Sequence, residues 1–211
     1  MTMDREALEQ ALIARHGAEN QKKFAAASVG IAGLGGLGSH IAVYLARLGV
    51  GRLVLADFDR VDVTNLNRQH YFIHHLGQYK TEALAEQLRQ INPWLDYELH
   101  TCRVSADNAC ALFQGCQVVC EAFDQADQKA MLVQGILTGL PNTLLVAGSG
   151  MAGSGSPNAI RTQKAMSRLY LCGDGESDID QGQGLMAPRV AVCAAHQAAM
   201  VMRLLLGQTE P

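Results

Sequence analysis

The sequence predicts an α/β fold: a Rossmann-like, mostly parallel sheet with helices on both faces, late antiparallel strands and an N-terminal helical segment. Three observations carry this expectation. Short apolar, β-rich runs alternate with amphipathic helical stretches between Ser28 and Ala147. A glycine-rich turn, Gly33 to Gly38, joins the first run to the first of these helices. An acid, Asp57, closes the second run at about the twenty-residue spacing at which a carboxylate meets a ribose.

The elements follow in order. Residues 4–16 carry Leu8, Leu12 and Ile13 at helical spacing, with Asp4 as N-cap. Glu19 to Ala26 reads as a second short helix. Ser28 to Ala32 is a buried strand, Leu37 to Leu48 a helix closed by Gly49 and Gly51, and Arg52 to Asp57 a second strand. Lys80 to Ile91 is a helix that stops at Asn92, because proline disfavours helix in the residue before it. Leu95 to His100, Gln117 to Glu121 and Thr143 to Ala147 are strands, separated by helices over Ala106 to Phe113 and Gln125 to Leu137. Beyond Gly148 the alternation breaks. GSGMAGSGS (Gly148 to Ser156) is glycine-rich, and Ala159 to Thr162 and Leu169 to Cys172 are the late strands. The acidic stretch Gly173 to Gly184 is expected to be mobile, and an apolar helix over Pro188 to Leu206 follows, with its proline suited to the first turn.

One domain of 211 residues is expected, with 1–27 a helical extension, 28–150 the nucleotide-binding core and 151–211 a region for a partner and the last helix. The net charge of −3 and the lack of a basic run argue against nucleic acid. No apolar stretch reaches the roughly 18 residues of a membrane span, so no membrane is expected. The N-terminus lacks a secretory core, and the six cysteines form no C-x-x-C pair and no disulfide framework. These features predict a cytoplasmic protein with reduced thiols.

Gly33, Gly35 and Gly38 satisfy G-x-G-x-x-G, with Gly36 in addition. The first glycine permits the turn, the second lets backbone approach a phosphate or ribose, and the third lets helix and strand pack closely. The helix N-terminus adds partial positive charge. Asp57 is placed to accept from ribose hydroxyls, and Asp59 either joins it or only caps the turn. So far NAD and ATP fit equally. The next segment, DFDRVDVTNLNRQ, then adds Asn65 and Arg68, with Lys80 on the following helix. Extra cations suit a triphosphate whose charge must be neutralised during transfer, which selects ATP. Asp124 lies just beyond a strand, where it either holds Mg²⁺ or caps the helix from Gln125; the sequence leaves both open. The pattern assigns no catalytic histidine.

GLGGLGS, DFDRVDVTNLNRQ, Lys80 and INP (Ile91 to Pro93) together resemble the ThiF/MoeB/ubiquitin-activating-enzyme superfamily, and within it the short ThiF-type proteins of thiamine biosynthesis. The resemblance implies ATP-dependent adenylation of the C-terminal glycine of a small ubiquitin-like sulfur carrier ending in Gly-Gly, by a homodimer. On that pattern Asp57 holds the ribose, Asn65, Arg68 and Lys80 contact phosphates, and Asp124 holds Mg²⁺. Arg15, or Arg5, reaches the γ-phosphate region of the other subunit, although Arg15 is equally readable as an ordinary helix charge. Two departures stand out. Many relatives bind zinc through two C-x-x-C pairs, which this chain lacks, so no zinc is expected. Some relatives carry a cysteine in the loop before the last helix, and here Gly173 to Met186 has none, with Cys172 and Cys193 on either side. Arg189 is read either as facing the carrier tail or as a solvated charge. The competing readings are an NAD-dependent oxidoreductase, which leaves Asn65, Arg68 and Lys80 idle, and a nucleotide-binding interaction module without chemistry. Adenylation of a small carboxylate or a modified tRNA base is a further variant.

Overall fold

A computed structural model describes residues 4–178 and 184–211. Among these residues, seven strands form one sheet in the order β3-β2-β1-β4-β5-β7-β6. They are β1 (Ser28–Ala32), β2 (Arg52–Ala56), β3 (Asp96–His100), β4 (Val118–Glu121), β5 (Leu144–Gly148), β6 (Arg161–Lys164) and β7 (Leu169–Gly173). The helices are α1 (Arg5–His16), α2 (Ala18–Ala25), α3 (Gly36–Leu48), α4 (Lys80–Ile91), α5 (Ala109–Leu112), α6 (Ala126–Gly139) and α7 (Ala187–Leu205).

The chain leaves β1 towards β2 and β3 on one side, then returns to place β4 on the other. The C-terminal ends of β1 and β4 therefore part company at a topological switch point, the crevice where open α/β sheets bind ligands. Continuous apolar strands need cover on both faces. One core packs α3 and α7 against the sheet through Ile31, Ile41, Leu45, Cys193 and Val201, and the other packs Phe113, Leu132 and Ile136 beneath it. Tyr170 and Leu204 join the first core, so it runs from the early strands into the last helix.

Capping and stop signals sit where the sequence puts them. Asp4 Oδ1 accepts from Ala7 N at 2.7 Å, and Asn92, ahead of Pro93, has turned to extended backbone. Three expectations need correction. The helix over Ala106 to Phe113 shrinks to α5, because Asn108 bonds Ser105 N and Arg103 O and so holds the preceding residues in a turn. Of the late strands only β6 is antiparallel; β7 runs parallel to β5, paired through Leu145 and Leu169. β6 also starts later than expected, since Pro157–Ala159 form a 3-10 turn capped by the Ser156 hydroxyl. Within Gly173 to Gly184, residues 179–183 lie outside the described residues. The part before them is bonded: Asp174 accepts from the backbone of Glu176 and Ser177.

Candidate active site

The main cleft opens over the C-terminal ends of β1, β2, β3 and β4. Its floor is Gly33, Gly35 and Gly36. One wall is Asp57, Phe58 and Asp59 after β2, and another is Ala122, Phe123 and Asp124 after β4. Cys102, Arg103 and Val104 enter after β3, and Arg68, Gln69 and Lys80 close the side.

Gly33 adopts φ +88°, a left-handed conformation that favours glycine, and a Cβ there would lie 2.9 Å from the Ala122 carbonyl oxygen. Gly38 does not line the cleft. It sits beneath the turn, where a Cβ would come within 1.8 Å of the Gly33 carbonyl oxygen. The close passage of α3 against β1 is therefore possible only with glycine. The Ser39 hydroxyl donates to Gly35 O at 2.7 Å and accepts from His70 N at 3.0 Å, which ties the glycine turn to the backbone just after Gln69.

Asp57 is 8% exposed. Its Oδ2 accepts from Leu34 N at 2.7 Å and its Oδ1 from Asp59 N at 2.8 Å, which fixes the carboxylate at the edge of the glycine turn. Burial pushes its pKa up, against the pull of Lys80 and the two N–H donors. Two oxygens offer about four acceptor positions, so two accepted bonds leave room for ribose hydroxyls. Lys80 is buried, and its Nζ donates to Asp59 Oδ2 at 2.7 Å. Arg68 Nη1 donates to Thr64 O and Asn67 Oδ1 at the cleft edge. Asp124 is exposed on the cleft, and the helix cap is Gln125 without a side-chain bond, so the capping alternative is not realised.

Asn65 is not brought to the cleft. It closes a capping box on the turn Val63–Asn65, its Oδ1 accepting from Asp62 N at 3.0 Å. Arg15 is exposed on α1, a helix with no buried residue, and neither it nor Arg5 lines this cleft. Arg189 is neither solvated nor free for a partner. It is 6% exposed, donates to the carbonyls of Ala152, Gly155 and Ser156, and pairs with Asp174. This clamp holds the glycine-rich loop after β5 against α7.

Sequence reasoning missed Gln69, Cys102 and Arg103. The last two follow β3 directly, and the rule that ligands bind beyond strand ends, applied to β1, β2 and β4, also points to them. Gln69 is 9% exposed, and its Oε1 is buried with no hydrogen-bond partner among the described residues, although it lines the cleft. An orphan acceptor, a fixed carboxylate, a glycine floor and a helix N-terminus fit a nucleotide, with the guanidinium and ammonium on the phosphate side. Asp124 fits Mg²⁺, which one or two carboxylates and substrate phosphates together hold. Cys193 lies behind the site with its Sγ 3.3 Å from Cys172 O, and burial pushes its thiol up to about 12 and that of Cys172 to about 11. Neither thiol is a ready nucleophile.

The description of the ThiF family matches residues 8–211. The chain is 32% identical over 201 residues to the molybdopterin-synthase adenylyltransferase of Salmonella typhimurium, covering 92% of this chain and 78% of that protein. It is 35% identical over 126 residues to the adenylyltransferase and sulfurtransferase MOCS3 of Anopheles gambiae, covering 58% of this chain. It spans only 28% of that second relative and 36% of its counterpart in Caenorhabditis briggsae. The fold matches the AMP complex of Escherichia coli tRNA N6-threonylcarbamoyladenosine dehydratase with a TM-score of 0.87, at 23% identity, over 99% of this chain and 98% of that one.

Proposed function

The chain belongs to the ThiF family, and from that premise we propose that it adenylates the C-terminal glycine carboxylate of a small ubiquitin-like sulfur carrier, with release of pyrophosphate. The observation that carries the reading is the juxtaposition, in one cleft at the switch point, of the glycine floor, Asp57, Arg68, Lys80 and Asp124. Its nearly full-length similarity to an adenylyltransferase supports the same chemistry.

The carboxylate to be activated has a pKa of about 3.5 and is ionised at neutral pH, so no general base is required. The barrier is the approach of one anion to another and the charge that develops as pyrophosphate leaves. Asp57 and Gln69 orient the ribose side. Arg68 and Lys80 draw the phosphates and spread the leaving charge. For Lys80 this means exchanging Asp59 for a phosphate oxygen, a short move, because both side chains already lie in the cleft. Mg²⁺ held by Asp124 would supply further neutralisation. The loop from Gly148 to Ser156, pinned by Arg189, borders the same cleft through Met151 and offers a path for an extended Gly-Gly tail. In this reading residues 28–150 serve the nucleotide and 151–211 the carrier. Cys116, Cys120, Cys172 and Cys193 are buried, so none of these four is placed to form a thioester with the activated carboxylate. Arg15, exposed and away from this cleft, acts across a homodimer in this reading. Thiamine biosynthesis is the pathway that the short ThiF-type pattern suggests.

The test is ATP–pyrophosphate exchange with small carriers ending in Gly-Gly. Carrier-dependent exchange is expected. Arg68→Ala and Lys80→Met should each reduce it by about 100-fold, the scale of removing one transition-state charge donor, while the fold is retained. Exchange with no carrier, but with a free carboxylate or tRNA, would move the substrate elsewhere in the family. NADH binding without exchange would refute the reading.

A further inference from the structure

One ion pair, its carboxylate buried and its lysine side chain 26% exposed, lies between the two halves of the site and has no part in the chemistry above. Glu121 ends β4 and is 1% exposed. Its carboxylate accepts from Lys129 Nζ at 2.9 and 3.1 Å and from Phe123 N at 2.7 Å. The same Lys129 Nζ donates to Gly148 O at 3.0 Å. Phe123 belongs to the nucleotide wall, whereas Gly148 opens the loop that leads to Ser156. A single charge pair thus joins the loop after β4 to the loop after β5. Gln197 of α7 braces the same place, its Nε2 donating to Glu121 O at 3.1 Å and Val146 O at 3.3 Å.

Stability alone is a weak reason for such a pair, because well-packed apolar residues of similar volume often serve as well or better. A pair that bonds backbone at the ends of β4 and β5 does something an apolar pair cannot: it adds to the ladder between these strands and orients the two loops as they leave it. We propose that Glu121 and Lys129 are positioning residues that hold the nucleotide wall and the acyl-tail path in register, so that the site favours an acyl adenylate over a bare nucleotide. The inference rests on the adenylation reading above. Neither residue touches the reacting atoms. Lys129 reaches them through Gly148, and Glu121 through Phe123.

The experiment compares two probes on the full chain by titration calorimetry. AMP fills only the nucleotide half. Glycylglycyl sulfamoyl-adenosine, in which a sulfamate replaces the acyl phosphate, spans both halves. In Lys129→Met and in the neutral double variant Glu121→Gln/Lys129→Met, the Kd for AMP should stay within about threefold, while the Kd for the spanning probe rises by about tenfold or more, the scale expected when a bound group is displaced by a fraction of an ångström. Lys129→Arg should recover most of the discrimination, because a guanidinium can still bridge a carboxylate and a carbonyl. Lys129→Met leaves a buried carboxylate unpaired and is the variant most exposed to misfolding, so the double variant carries the test. If the folded double variant loses both probes equally, or loses neither, the pair is merely structural and the inference fails. If the wild-type protein binds the two probes equally, the adenylation reading fails and takes this inference with it.

Discussion

The glycine motif makes a sharp test, because two of its members have different jobs. At Gly38 a Cβ would stand 1.8 Å from the Gly33 carbonyl oxygen, where ordinary contact begins at 3.4 Å. The obstacle is backbone, and no side chain can swing aside. α3 would have to withdraw from β1, yet its Ile41 and Leu45 are fully buried in the core. Overpacking of this kind costs about 1–3 kcal/mol, with backbone clashes at the upper end. Alanine in a helix recovers about 1 kcal/mol relative to glycine. Gly38→Ala should therefore lose about 2 kcal/mol net, or about 4–8 °C in Tm for a chain of this size. Gly35 is different. A Cβ there meets only Gln69 Nε2, at 3.7 Å, which is ordinary contact with the end of a flexible side chain. Gly35→Ala should therefore destabilise the fold less than Gly38→Ala does. Its methyl would stand on the cleft floor, where backbone must approach the nucleotide, so ATP affinity should fall by about tenfold or more, roughly 1.4 kcal/mol. Urea denaturation reads the first effect and calorimetric titration with ATP the second. A Gly38→Ala protein as stable as wild type would falsify the packing role, and a Gly35→Ala protein with normal ATP affinity would refute the floor assignment.

Two further outcomes concern a thiol in the cleft and the carboxylate of the Arg189 clamp. Cys102 and Cys110 are the half-buried thiols, and only Cys102 lines the cleft; ATP should slow alkylation of Cys102 by iodoacetamide and leave Cys110 unchanged, and equal protection of both would remove Cys102 from the nucleotide site. Burial pushes the Asp174 carboxyl up, but hydrogen bonds from Ser177, Glu176 and Arg189 outweigh it and hold the pKa down to about 2. A depressed pKa means stability that is present above the unfolded value near 3.9 and lost as pH falls towards about 2, up to about 2 kcal/mol. The stability gap between wild type and Asp174→Asn, measured in urea, should hold at neutral pH and narrow across that acid window; a gap that does not change with pH would refute the clamp.

The fold was legible wherever one local rule decided the outcome. Asp4 caps α1, Pro93 stops α4, and an apolar run between turn signals makes each central strand. It was less legible where a side chain competes with backbone or where distant segments choose the pairing. Asn108 is as good a turn residue as a helix neighbour, and it takes the turn. The direction of β7 depends on how the chain returns from Gly148, through the 3-10 turn at Pro157 and the hairpin with β6, and no short window contains that path.

The candidate site divides along the same line. Its nucleotide half hangs on residues within about one βα unit of the glycine turn, so spacing alone places Asp57, Asp59, Arg68 and Lys80 around one cleft. Asn65 shows the limit of spacing: it belongs to the same segment, yet the backbone of Asp62 claims its amide. The other half is held by contacts far apart in sequence. Arg189 reaches back to Ala152, Gly155 and Ser156, and Lys129 joins Glu121 to Gly148. A lone Arg or Lys in a helix reads as a solvated charge unless its partners are known, and these partners are mostly carbonyl groups, which every residue possesses. Composition cannot distinguish a charge that meets water from one that meets three buried carbonyls; only the folded chain can. For that reason the loop after β5, where an acyl tail would lie, is defined here by its anchors, and variants of those anchors test it more directly than changes in its glycines.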